Sequence, residues 1–297
     1  MKNEIFNFRR FGKYFATDIR GCWSNYGLNF MTICILPIII VYILSVAWST
    51  IFDLSWNGPA MGFRSMAAII SIVCLVMTMP AKCYGKITEK RFGSFWLTLP
   101  ASRLEKFLSM VLTTCVIAPL LGGALTLGID GLICVLDPTC GNSIVEGVRE
   151  MGIGMMNLSR EFEEFATNAE SQAAVNELIS SIEDMEKSVT SPFMIITNFF
   201  ALTLPFLCGA VWFKSSKTVK TILAMMAFSM VFSIIATPFM TGWLKSAFEI
   251  NNDLEAINAI TENGLFNKIV LINNISKTMT NVALMLGIWF RIKSLKH

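Results

Sequence analysis

The apolar residues of this chain gather into long uncharged runs instead of recurring at the spacing of an amphipathic core helix. No charge falls between Arg20 and Asp53, between Ser65 and Ala81, from Phe107 to Ile129, from Pro192 to Phe213, or from Thr221 to Leu244; a last run ends at Phe290. A helix needs roughly 20 apolar residues to cross a hydrocarbon core about 30 Å thick, and helices satisfy their own backbone there. The pattern predicts an all-α polytopic membrane protein with six transmembrane helices. Pro37 is expected to kink the first span, Pro119 with Gly122 and Gly123 to loosen the third, and Asp130 to lie at an interface.

The polar stretches between the runs have patterns of their own. In residues 1–26, Phe8, Phe11, Phe15 and Ile19 share one helical face and Arg9, Arg10, Lys13 and Arg20 another, which predicts an interfacial helix lying on the membrane. Residues 82–106 separate the second and third runs. There Ser102 and Glu105 have capping-box spacing just after Pro100, so a helix should begin at Arg103. Upstream, Glu89, Gly93, Phe95, Trp96, Leu97 and Leu99 make an amphipathic piece. This loop reads either as a segment held inside by its charge or as a docking surface for another protein.

Residues 137–191 carry eleven acids against Arg149, Arg160 and Lys187. Phe162, Phe165, Ala169, Ala173, Leu178, Ile182 and Met185 recur at roughly helical spacing among them, predicting a helical insert outside the membrane between spans 3 and 4. It is either a lid or partner-binding cap, or a solvated connector. The last run holds the one intramembrane cation. Asn273 or Asn274, Lys277 and Asn281 form a stripe at i, i+4 spacing. The stripe either lines a pathway or marks a shorter span from which Lys277 snorkels.

Composition agrees with the pattern: 54% of residues are hydrophobic, 15% are charged, and the mean hydropathy is +0.59. Charge sets the orientation. The N-terminal stretch carries +3, residues 82–106 +4, residues 214–220 +3 and the C-terminal tail +3, whereas the alternate loops carry 0, −8 and −2. Lys and Arg accumulate on cytoplasmic loops, so both termini are expected inside. The expected organisation is a cytoplasmic interfacial helix at 1–26, spans 1–3 over 27–136, the acidic insert at 137–191, and spans 4–6 with a short basic tail over 192–297.

Little in the sequence points to catalysis. The only histidine is His297, which argues against histidine triads, His-ligated metals and histidine proton relays. Cys34, Cys74, Cys115 and Cys208 fall within runs and read as small hydrophobes. Cys22 and Cys83 are expected to face a reducing cytoplasm, which leaves Cys134 and Cys140 as the pair able to meet an oxidising exterior. No GxxxxGK[ST] phosphate loop occurs, and no basic aromatic patch of the nucleic-acid type. No metal site, no cofactor and no enzymatic activity of the chain's own is expected.

The stretch ITEKRFGSFWLTLPASRLEKFLSMVL, Ile87 to Leu112, resembles the cytoplasmic loop and following span of type-2 ABC transporter permeases. In that family an acidic residue and a glycine precede a Leu-x-x-x-Pro-x-[ST]-[RK] turn, and the third span follows. Glu89, Gly93, Leu99, Pro100, Ser102, Arg103, Glu105 and Lys106 match that sense. The resemblance implies a permease subunit in the cell membrane that pairs with a second permease half and docks on a separate ATP-binding subunit, which consumes the ATP. The piece carrying Phe92, Phe95 and Trp96 would be the coupling element, stiffened by the turn from Pro100 to Glu105. The family usually places its larger external insertion between its last two spans; here the larger one follows span three. The competing reading is a membrane scaffold or sensor acting through its acidic external helices.

Overall fold

The computed structural model of the chain describes residues 6–88, 96, 98–150, 191–248 and 265–294. Every regular element among these residues is helical. The chain forms two compact units: Met1–Met151 with Leu202–Thr221 and Leu284–His297, and Gly152–Ala201 with Ile222–Ala283.

Helix α1, Phe8–Ile51, is a single helix of 44 residues, about 66 Å at 1.5 Å per residue. The expected interfacial helix and first span are therefore one continuous rod. Nothing between Ile19 and Phe30 is strong enough to break the helix, and Pro37 sits inside it without ending it. Its start is fixed by Asn7, whose side chain accepts from the Arg9 and Arg10 backbone N–H groups at 3.0 and 3.3 Å. The basic N-terminal part is also packed. Phe11 is buried and stacks on Phe15.

Helix α2 covers Met61–Cys83 and ends in a 3-10 turn at Gly85–Thr88. Helix α3, Arg103–Val111, passes through a π turn at Leu112–Ile117 into α4, Ala118–Leu136. Pro119 accounts for the π turn. It donates no N–H, and its ring would crowd the carbonyl four residues back, so the ladder widens just ahead of it. The sequence expectation of a loosened third run thus takes a definite form.

Helices α1, α2 and α4 pack against one another around Phe30, Cys34, Leu75, Met79 and Ala118. The approach is close at Gly122, where a Cβ would stand 3.0 Å from Leu75 Cδ2. At one end of this layer Asp130 is fully buried and paired with Arg64 at 2.9 Å. The expectation of an interfacial Asp130 did not include this burial within the protein. A partner 66 residues away makes its burial tolerable.

Helices α5 (Pro192–Trp212), α6 (Lys217–Phe248) and α7 (Leu265–Ser294) follow in the second half of the chain. Among the described residues, five stretches are long and apolar enough to cross a membrane: Phe8–Ile51, Met61–Thr88, Arg103–Leu136, Pro192–Trp212 and Lys217–Ile235. Along α6, Leu223, Met226, Phe228, Met230, Phe232, Ile234 and Ile235 are all exposed. Apolar surface on this scale is stable only in lipid or against a partner. Among the described residues the protein is all-helical, and its apolar helices give it membrane character.

Candidate functional site

Glu105 is the centre of the first unit's basic end. The capping box expected from the sequence is complete: Glu105 N–H donates to Ser102 Oγ at 3.2 Å, and Ser102 N–H donates to Glu105 Oε2 at 2.9 Å. The same carboxylate accepts from Asn7 N–H at 2.9 Å and from Arg10 Nε and Nη2 at 2.9 and 2.8 Å. It is fully buried, while Arg10 remains partly exposed. One side chain therefore closes the first turn of α3 and holds the N-terminus of α1 against it. Charge-assisted and bidentate contacts of this kind are among the strong ones.

The neighbouring residues extend the joint. Asp18, two turns further along α1, accepts from Tyr84 Oη at 2.6 Å and from Ser109 Oγ at 2.5 Å, linking α1, α2 and α3. Lys106 Nζ donates to the Trp96 carbonyl at 2.7 Å and lies 5.1 Å from the centre of its ring. Trp96 is itself buried. Arg103 is exposed and donates to the Lys293 carbonyl at 2.9 Å, tying the start of α3 to the C-terminal turn of α7. Lys217 Nζ donates to the Gly85 carbonyl.

The expected coupling residues thus divide. Ser102, Arg103 and Glu105 stand together at the start of α3, with Pro100 in the bend before it. Trp96 faces inward. Glu89, Phe92, Gly93 and Phe95 lie outside the described residues, as does most of the acidic insert.

The intramembrane stripe is found in the second unit. Lys277 Nζ donates to Asn198 Oδ1 at 2.9 Å, and Asn281 Nδ2 donates to the Thr197 carbonyl at 2.8 Å. Asn281 is buried, and its Oδ1 has no hydrogen-bond partner. Asn274 lies about one turn before Lys277 and accepts from Thr278 Oγ1 through its carbonyl. Among the described residues Lys277 has no carboxylate within ion-pair distance. Thr197 and Asn198 were not singled out from the sequence. In an apolar run a lone Thr-Asn pair carries no periodic signal.

The opposite end of the first unit is built on Arg64. Its Nε donates to the Pro59 carbonyl, Nη1 to Asp130 Oδ1 and Cys134 Sγ, and Nη2 to the Cys140 and Asn142 carbonyls, at 2.6–3.1 Å. Asp130 Oδ2 accepts from Ile144 N–H at 2.8 Å. The root of the acidic segment is therefore clamped to α2 and α4. Asp137 adds a second tie, accepting from Tyr42 Oη at 2.7 Å and Trp56 Nε1 at 3.0 Å. Hydrogen bonds from Thr139 above all, then from Tyr42, hold its carboxyl down at about 2. Cys134 and Cys140 are both free thiols, and burial pushes the Cys140 thiol up. A second capping box, Ser143 with Glu146, starts the helix at 144–150.

The chain matches no protein-family model, no curated protein and no solved structure. No metal cluster of His, Cys, Asp and Glu occurs among the described residues. What the arrangement offers is mechanical: a stiff joint at one end, a clamp at the other, and a polar stripe among apolar helices.

Proposed function

We propose that the chain is the permease subunit of an ATP-driven exporter of the cell membrane. It spans the bilayer six times with both termini inside, pairs with a second permease half, and works with a separate ATP-binding subunit. The observation that carries this reading is the Glu105 joint. It binds the N-terminal arm, the cytoplasmic turn and the third apolar helix into one block, with hydrogen bonds from Asn7, Arg10 and Ser102 converging on a buried carboxylate. Rigid-body transmission of ATPase closure into the membrane requires such a stiff element next to the docking loop. The alternating loop charges support the six-span layout, with α7 as the sixth span. The Lys277 stripe then lines the pathway, since an ionisable residue in a span faces the bundle interior or a water-filled cavity. The exposed apolar length of α6 is available to lipid or to the second half.

The test is partner recovery. Gly93→Trp and Arg103→Glu should each abolish association with the ATP-binding subunit while the chain still inserts into the membrane. Unchanged recovery for both would remove the coupling assignment.

A second reading, a scaffold or sensor acting through its acidic segment, is favoured by the way Arg64 and Asp137 anchor that segment's root. Deleting residues 141–188 separates the two. The exporter retains ATPase docking after the deletion, whereas the sensor loses its function.

A further inference from the structure

We propose that the first unit holds a binding site for one anionic phospholipid, with the phosphate in a basic groove along α1 and an acyl chain in the apolar slot that continues from it. The groove has a volume of about 1140 Å³ and is lined by Arg9, Arg10, Lys13 and Lys86, with Asp18 as its one acid among the described lining residues. Arg9 and Lys13 are exposed, and neither meets a carboxylate among the described residues. In its wall the Tyr14 hydroxyl and the Trp96 indole nitrogen stand beside each other, buried and without a further partner. A buried donor left in that condition is costly, and an anionic oxygen would satisfy it.

The slot begins where the groove ends, because Cys22 and Cys83 line both. Its walls are Trp23, Phe30, Met79, Ile117 and Leu121, from α1, α2, the π turn and α4. A site for free phosphate or an acidic peptide has no use for such a slot; an amphiphile uses both parts. The slot now holds about 50 Å³, so a chain enters only if the walls part. The π turn Leu112–Ile117, where the helical ladder is already widened, borders it. On the cytoplasmic side of a membrane, anionic lipid is the abundant ligand of that chemistry. The inference rests on the membrane-spanning reading and not on ATPase pairing, so either can fail without the other.

The full chain is placed in nanodiscs of phosphatidylcholine with or without phosphatidylglycerol, and retained lipid is measured by native mass spectrometry beside thermal unfolding. One phosphatidylglycerol should remain bound per chain and raise the unfolding temperature. Arg9→Glu with Lys13→Glu should lower retention by about tenfold or more, since each removed charge weakens the attraction by several-fold. The same double variant should unfold normally in phosphatidylcholine alone, which separates lost binding from lost folding. Leu121→Trp, at an exposed wall position, should weaken retention of long-chain phosphatidylglycerol while sparing a short-chain analogue. Equal retention of both headgroups would overturn the proposal, as would inorganic phosphate alone reproducing the shift. Displacement of the lipid by an ATP-binding subunit seated in the groove would assign the groove to a protein and also overturn it.

Discussion

Arg64 and Asp130 meet at 2.9 Å in the interior of the first unit, with their side chains 2% and 1% exposed. Their remaining polar atoms are taken up by Pro59, Cys140 and Asn142 carbonyls and by Ile144 N–H. A buried pair of this kind is costly to break. Asp130→Ala alone should destabilise by about 3–5 kcal/mol, because Arg64 is left charged and buried. Arg64→Met with Asp130→Ala should lose less than the two single variants together, since no charge is left buried, although the backbone groups that the pair holds stay unsatisfied. Thermal unfolding of Asp130→Ala, Arg64→Met and the double variant in one detergent decides it, and additive losses would show that the pair is not coupled.

Glu105 separates capping from joining. Ser102→Ala removes the helix cap and should cost about 1 kcal/mol. Glu105→Ala also releases Asn7 and Arg10 and should cost about 2–4 kcal/mol, as hydrogen bonds to a charged group are worth more. Limited proteolysis near Asn7 should accelerate only in the Glu105 variant. Equal proteolysis of both would mean that the N-terminal arm is held elsewhere.

The polar stripe responds in a paired manner. Asn198→Leu removes the acceptor of Lys277 Nζ and should destabilise by about 1–3 kcal/mol. Adding Lys277→Met should restore folding and abolish transport if the lysine lines the pathway. Full transport by the double variant would make the stripe structural.

Asp137 gives a pH signature at the anchored root. Its carboxyl is held at about 2, below its ordinary value of 3.8, so the ionised form favours the folded state. The contribution is complete above the ordinary value and is lost as pH falls towards about 2. Emission from Trp56, whose Nε1 lies 3.0 Å from the carboxylate, should change within that window. Asp137→Asn should remove the change. A midpoint at the ordinary carboxylate value would contradict the hydrogen-bonded geometry.

Gly58 lies so close to the turn that a Cβ there would stand 2.8 Å from Cys140 Cα and N. Backbone cannot swing aside as a side chain can. Gly58→Ala should cost about 1–3 kcal/mol in thermal unfolding. Gly123→Ala, with open space around it, serves as the control.

What the sequence revealed follows from the range of each signal. The Ser102–Glu105 cap is a local pattern and was legible; its partner Arg10 lies 95 residues earlier and was not. The long apolar runs marked the helices, but continuity across residues 20–30 could not be read, because a change from basic to apolar character does not end a helix. Arg64 and Asp130 each resembled a charge at the edge of a run. Only their convergence in space turns two edge charges into one buried pair. Lys277 stood out because it interrupts an apolar run, whereas Asn198 did not.

The most direct measurement is co-purification of the tagged chain from its native membranes in mild detergent, with quantitative mass spectrometry of what accompanies it. The exporter reading expects an ATP-binding subunit in fixed stoichiometry, lost on Arg103→Glu or Gly93→Trp. A clean preparation without such a subunit, or one holding only proteins from outside the membrane, would contradict it and direct attention to the acidic segment.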